Sequence, residues 1–257
     1  MTTIDVKHSG IWQLSSAVIA DAGACLVVDP GYFPRELEEL AATAAARGRT
    51  THVVFTHGHW DHVMGWRNFP GAEVIGSTRL VADVDGAAPV AATNLSNARD
   101  FDGQWYVVRP GPLAWPANMR PLGDGETLRI GGATLRALAL PGHSPDGLAL
   151  LLDEPRVLLA GDYLSPCEIP FVDDVDAYRV TLRRLLALLP EVDAVIPGHG
   201  PRLDRTEVTE IARADLEYLD ALADAARGDA DIRLPRAAEV PGMVDHHARN
   251  IATARRR

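Results

Sequence analysis

Thr56-His57-Gly58-His59-Trp60-Asp61-His62 sets three imidazoles and a carboxylate at His-x-His-x-Asp-His spacing, directly after the strand-like run 52–55. Imidazole nitrogen and carboxylate oxygen suit zinc and other first-row metals. In an extended segment His57 and His59 project to one side, and where the chain turns into a helix Asp61 and His62 swing towards a second position. Such a motif needs partners downstream. They stand in Leu140-Pro141-Gly142-His143-Ser144, Leu159-Ala160-Gly161-Asp162-Tyr163 and Ile196-Pro197-Gly198-His199-Gly200, each after an apolar run that reads as a strand. Each run delivers one donor to a strand end, where a rigid scaffold presents functional side chains.

On these residues the chain resembles the metallo-β-lactamase superfamily of metallo-hydrolases over positions 11–200, and Val27-Val28-Asp29-Pro30-Gly31 is similar to that family's early strand-plus-Asp element. The resemblance implies that His57, His59 and His143 bind one metal, that Asp61, His62 and His199 bind another, and that Asp162 bridges both. It implies that Asp29 steadies the loop carrying the ligands. The implied cofactors are two zinc ions, although the same nitrogen and oxygen donors accept iron or manganese. The implied fold is an αββα sandwich, two mixed β-sheets flanked by helices; periodicity alone reaches only a mixed α and β class. True β-lactamases usually lack a carboxylate bridge, whereas glyoxalase II-like thioesterases and lactonases resemble this chain at Asp162. The 58 residues after His199 (257 − 199) match no glutathione-binding helical domain, so glutathione thioesters are not expected. Pro145-Asp146-Gly147 departs from the commoner family ending after the histidine.

The expected activity is hydrolysis of a small-molecule ester, thioester or lactone by a metal-bridging hydroxide, with Asp61 orienting that hydroxide or carrying a proton and Tyr163 donating to the oxyanion. The alternative is an oxidoreductase resembling the mononuclear iron persulfide dioxygenases. A nuclease, phosphodiesterase or β-lactamase is expected less.

Composition bears on partners. Lysine plus arginine count 25 against 35 acidic residues, a net charge of −10, and the basic residues are scattered, which argues against a nucleic-acid partner. The basic run Arg255-Arg256-Arg257 reads as a solvated terminus. No basic-then-apolar leader and no eighteen-residue apolar run occur, so a soluble, cytoplasmic protein without a membrane partner is expected. Cys25 and Cys167 have neither disulfide nor zinc-ribbon spacing and read as reduced thiols, Cys167 buried or at a rim.

Turn residues Asp21-Ala22-Gly23 between apolar runs predict a hairpin, and 34–47, with Pro at its start and Gly48 after it, predicts a helix. Two strands are expected over 127–140 around Gly131-Gly132, others at 148–152, 157–159 and 193–196, and helices over 176–189 and 206–227. Positions 1–227 read as the catalytic domain, with a lid insertion at about 77–121 whose Trp105, Tyr106, Arg109 and Trp115 join Trp60 at the substrate rim. A loop over 228–242 and a last helix over 243–255 complete it, packed on the same domain. On that helix His246 and His247 read as solvent-facing, while His247 and Asn250 resemble a pair seen in relatives of the family.

Overall fold

Short runs of Val, Leu and Ile too apolar to alternate with polar residues suit strands covered on both faces. The computed structural model describes residues 1–225, 232–235 and 242–256, and in it these runs build two six-stranded sheets. The first contains β1 (Thr3–His8), β2 (Ser15–Asp21), β3 (Ala24–Val28), β4 (Arg49–Val54), β5 (Glu73–Ser77) and β6 (Arg120–Leu122), in that spatial order. Antiparallel pairing joins β1 to β2 and β2 to β3, and the rest is parallel. The second contains β7 (Thr127–Ile130), β8 (Ala133–Ala139), β9 (Leu148–Leu152), β10 (Val157–Leu159), β11 (Ala194–Ile196) and β12 (Leu203–Asp204). Only β10 and β11 run parallel there.

Ala22 and Gly23, with φ of 49° and 79°, turn β2 into β3 as a two-residue loop whose twist matches that of the strands. Parallel pairs need crossovers. Helix α1 (Pro34–Arg47) joins β3 to β4, and the single turn α2 (Trp60–Val63) lies between β4 and β5. Helices α3 (Thr78–Asp85) and α4 (Pro89–Trp105) occupy the expected insertion, and α5 (Val175–Leu188) connects β10 to β11. Helices α6 (Arg205–Ala225) and α7 (Met243–Ala254) end the described chain. The expected loop over 228–242 lies mostly outside the described residues.

Side-chain alternation explains the layering. Ala17 and Ile19 of β2, Leu26 and Val28 of β3, and Leu148, Leu150 and Leu152 of β9 meet in one apolar layer between the sheets. Their neighbours Val18 and Ala20, with Cys25 and Val27, face a layer shared with α1 and α4. Ala149 and Leu151 face another, shared with α5 and α6. Three apolar layers require four structural ones, which is the αββα sandwich. No helix among the described residues is long and apolar enough to cross a membrane.

Candidate metal centre

Strands β3, β4, β8, β10 and β11 are each followed within a few residues by one part of the centre: Asp29, the His57–His62 run, His143, Asp162 and His199. These loops meet at one end of the sandwich. His57 Nε2 and His143 Nε2 each lie 3.0 Å from His59 Nδ1, and 3.4 and 3.3 Å from Asp162 Oδ2. On the other side His62 Nε2 and His199 Nε2 are 3.3 Å apart, 3.6 and 3.5 Å from Asp61 Oδ2, and 3.1 and 3.5 Å from Asp162 Oδ1. Asp162 therefore gives one oxygen to each donor set.

These separations suit a cation at the middle of each set. Four ligands at about 2.0–2.1 Å from zinc in tetrahedral array stand about 3.3–3.4 Å from one another. Among the described residues the buried side-chain polar atoms without a hydrogen-bond partner are Asp162 Oδ1, His143 Nδ1 and Ser144 Oγ, all at or beside the centre. Buried polar atoms are ordinarily satisfied, so the orphaned carboxylate oxygen is what a metal would complete. His57, Asp61, His62, His143 and His199 are buried, His59 and Asp162 largely so, and His59, Asp61, His143, Asp162 and His199 face an open cavity of about 790 Å³.

The groups behind the donors fix their lone pairs. His62 Nδ1 donates to Asp29 Oδ2 at 3.0 Å, so its Nε2 is left for the centre. Asp29 also accepts the Thr56 amide at 2.7 Å and the Thr56 hydroxyl at 2.6 Å, tying the turn before His57 to the end of β3. It does so with φ at 46°, the left-handed region that Asp tolerates better than most residues. His199 Nδ1 donates to the Trp12 carbonyl at 2.9 Å, leaving its Nε2 to the second donor set. Gly198 and Gly58 are held to glycine by space: a Cβ on Gly198 would stand 2.2 Å from Asp162 Oδ1, and one on Gly58 2.7 Å from Leu80 Cδ1.

Burial lowers the pKa of His59 to about 3, with His57 adding repulsion, and burial likewise holds His143 well below the ordinary range. Burial opposes charge at His62 and His199 too, but the Asp162 carboxylate and its neighbours outweigh it and raise His199 to about 9 and His62 well above the usual value. Without metal, then, His62 and His199 hold protons at neutral pH that an incoming cation displaces. Zinc uptake at pH 7 should acidify a weakly buffered solution, and metal affinity should fall as pH drops below about 9 because protons compete for both imidazoles. A zinc titration followed with a pH indicator checks this; uptake without proton release would contradict it.

Not every expected site residue reaches the cavity. The Tyr163 hydroxyl donates to the Leu140 carbonyl at 2.9 Å and accepts the His143 amide at 3.0 Å, fully buried, so it clamps the turn that carries His143 rather than facing substrate. Tyr163→Phe should therefore leave kcat within about tenfold of the parent and lower thermal stability, whereas loss of an oxyanion donor costs on the order of 10²–10³ in kcat. Steady-state kinetics with a melting curve separates the two.

Trp60 lines the cavity, packed edge-on against Trp12 at 5.5 Å and Tyr32 at 4.5 Å. Trp105, Tyr106, Arg109 and Trp115 do not line it. Trp105 and Tyr106 are exposed at the end of α4, Arg109 forks onto Asp102 and stacks on Tyr32 at 3.9 Å, and Trp115 donates to the Ala91 carbonyl. Arg109 and Trp115 brace α4 instead, tying it to Tyr32 and to the segment after it. The insertion reaches the cavity through Val90, Thr93, Asn94 and Asn97.

The structure also corrects α7. His246 stacks on Phe171 at 3.7 Å, and His247 bridges the Tyr218 hydroxyl and the Ile232 carbonyl, so neither is a free solvent-facing side chain. Asn250 is buried, bonded to Pro170, Tyr218 and the Val172 amide. Three groups near the centre escaped sequence reasoning. Trp12 and Glu168 line the cavity, and Asp146 Oδ2 accepts the Gly58 amide at 2.7 Å. The Pro145-Asp146-Gly147 departure was the only signal for Asp146; Trp12 and Glu168 carry no local pattern. Cys25 and Cys167 are both buried, and neither is in a disulfide.

A family model for the metallo-beta-lactamase superfamily matches residues 10–199. The chain is 30% identical over 220 residues to the atrochrysone carboxyl ACP thioesterase AgnL7 of Paecilomyces divaricatus, a match covering 82% of this chain and 60% of that protein's length. It is 29% identical over 233 residues to the acyl-coenzyme A thioesterase MBLAC2 of Gallus gallus, covering 82% of this chain and 80% of the relative. In structure it is similar to the metallo-beta-lactamase family protein TTHA1429 from Thermus thermophilus, with a TM-score of 0.67 and 21% identity over 87% of this chain and 81% of that one.

Proposed function

The chain belongs to the metallo-β-lactamase superfamily, and from that premise we propose that it is a dinuclear metal-dependent hydrolase, most simply a zinc enzyme, cleaving small acyl thioesters. One observation carries the reading: Asp162 shares its two oxygens between a three-histidine set and an Asp-His-His set, which suits two metals held close together. The thioesterase relatives support the substrate class, while the ester and lactone readings keep the same chemistry with an alkoxide leaving group.

Two such metals, when bound, would polarise an acyl carbonyl and make water nucleophilic near neutral pH. The chain's own groups do the rest. Asp29 and the Trp12 carbonyl orient His62 and His199 before substrate arrives, so no reorganisation accompanies binding. Trp12, Trp60 and Phe171 give the cavity an apolar wall against which an acyl chain packs without water. Asp61 Oδ2, facing the cavity, is placed to orient water or to take its proton.

Metal quantification on natively purified protein, joined to a panel of thioesters, esters and lactones, tests the proposal. The expected outcome is about two metals per chain and hydrolysis that chelation abolishes and zinc restores. Metal-free protein with full activity would overturn the reading, as would oxygen consumption with a persulfide in the absence of any hydrolysis.

A further inference from the structure

We propose that the thiol arm of the substrate carries phosphate and that Arg249 of α7 and Arg256, just past its end, hold it at the cavity mouth. The inference rests on the thioester reading above and adds the class of thiol. Both arginines line the cavity that opens onto the metal centre, in a chain whose net charge is −10. Arg249 stands on α7 and Arg256 in the turn just past its last residue, Ala254. Among the described residues neither guanidinium pairs with a carboxylate, and Arg256 donates to the Thr253 hydroxyl at 2.8 Å. Elsewhere arginines such as Arg47, Arg109, Arg179 and Arg184 are ion-paired.

The helix is held over the centre rather than loosely appended. His246 stacks on Phe171, and Phe171 on the donor His143 at 6.1 Å, while buried Asn250 ties the helix to the segment after Asp162. Burial and the nearby Arg249 lower the pKa of His246 to about 4, so the positive charge on this wall belongs to the arginines.

The α4 part of the lining, Val90, Thr93, Asn94 and Asn97, carries no charge. The acidic groups Asp61, Asp162 and Glu168 lie at the metal end, and Asp173 is at the exposed rim. A ligand with its acyl carbon at the metals and its anion at α7 thus keeps negative charge away from the carboxylates. Guanidinium forks match phosphate oxygens bidentately, and two of them lining one cavity fit a phosphorylated arm better than a single carboxylate. The reaction needs only water: its oxygen bonds to the acyl carbon, the C–S bond breaks, and the sulfur leaves on the phosphorylated arm with a proton from water.

The test compares one short acyl group on three thiols in the zinc-loaded full chain: coenzyme A, the phosphopantetheine of an acyl carrier protein, and the neutral N-acetylcysteamine. The parent should favour a phosphate-bearing thioester over the neutral one by about tenfold to a hundredfold in kcat/KM, the range for charge-assisted pairs. Whichever of the two phosphate-bearing substrates wins identifies the source of the arm. Arg249→Ala/Arg256→Ala should collapse that preference through KM, and Arg213→Ala, which removes an exposed arginine of α6, should not. Binding of desulfo-coenzyme A, which carries no reactive sulfur, gives a second readout independent of turnover and should weaken similarly in the double variant. Equal kcat/KM on all three thiols, or a preference and an affinity untouched by the double variant, overturns the inference. Arginine-dependent binding without hydrolysis of any thioester would instead sink the hydrolase reading and leave this one standing.

Discussion

Asp162→Asn is expected to reduce the metal content from about two per chain to about one and to lower kcat/KM by on the order of 10³-fold. The side chain keeps its volume, so the effect is chemical. Asp162 Oδ2 stands 3.4 and 3.3 Å from the nitrogens of His57 and His143, while Oδ1 stands 3.1 and 3.5 Å from those of His62 and His199. An amide offers one acceptor where the carboxylate offers two, and it aims an NH₂ at whichever set it does not serve. It also removes the negative charge that would offset two cations. A Lewis acid contributes several kcal/mol at the transition state, and about 4 kcal/mol corresponds to three decades in rate. Metal analysis by mass spectrometry and steady-state kinetics check the two halves separately. Two tightly held metals with activity within tenfold of the parent would show that Asp162 is not a bridge.

Asp29→Ala acts from behind the centre and should be felt in folding as well as chemistry. The change leaves three buried donors without their acceptor: the Thr56 amide, the Thr56 hydroxyl and His62 Nδ1. Each unsatisfied group costs about 1–3 kcal/mol, so the sum is a large share of a total stability of about 5–15 kcal/mol. A fall in melting temperature of about 10 °C follows for a chain of this size. With His62 no longer oriented, affinity at the second donor set should weaken about 10–100-fold. Asp29→Asn separates the causes, because asparagine keeps the left-handed backbone at φ 46° and one acceptor, and should lose metal affinity while keeping most of the stability. An alanine variant with unchanged melting temperature and two metals would remove Asp29 from this role.

The donor residues were legible because each is embedded in a short motif at the end of an apolar run, and the strand ends that carry them are local consequences of those runs. The hairpin at Ala22-Gly23 and the helix Pro34–Arg47 were legible for the same reason: turn residues and a Pro-Gly asymmetry mark them within a few positions. Strands β1, β5, β6 and β12 were not. They are short or lie near sheet edges, and β6 contains Pro121, so their pairing comes from neighbours rather than from their own pattern. Tyr163 shows the limit most plainly. Its place beside Asp162 suggested a group facing substrate, yet neighbours along a loop can point in opposite directions, and its hydroxyl turns back to Leu140 and His143.

The sequence by itself determined which residues could hold a metal and that strand ends would present them, since both follow from residue type and local spacing. Tertiary structure decided which pairs of donors lie 3.0–3.6 Å apart and how Asp162 divides its oxygens. It also decided which side chains line the cavity, bringing Trp12, α4, Arg249 and Arg256 to one opening from positions up to 244 residues apart (256 − 12). The reason is physical. Donor chemistry is a property of single residues, whereas a cavity wall is set by how layers pack, and packing at that distance leaves no trace in local pattern.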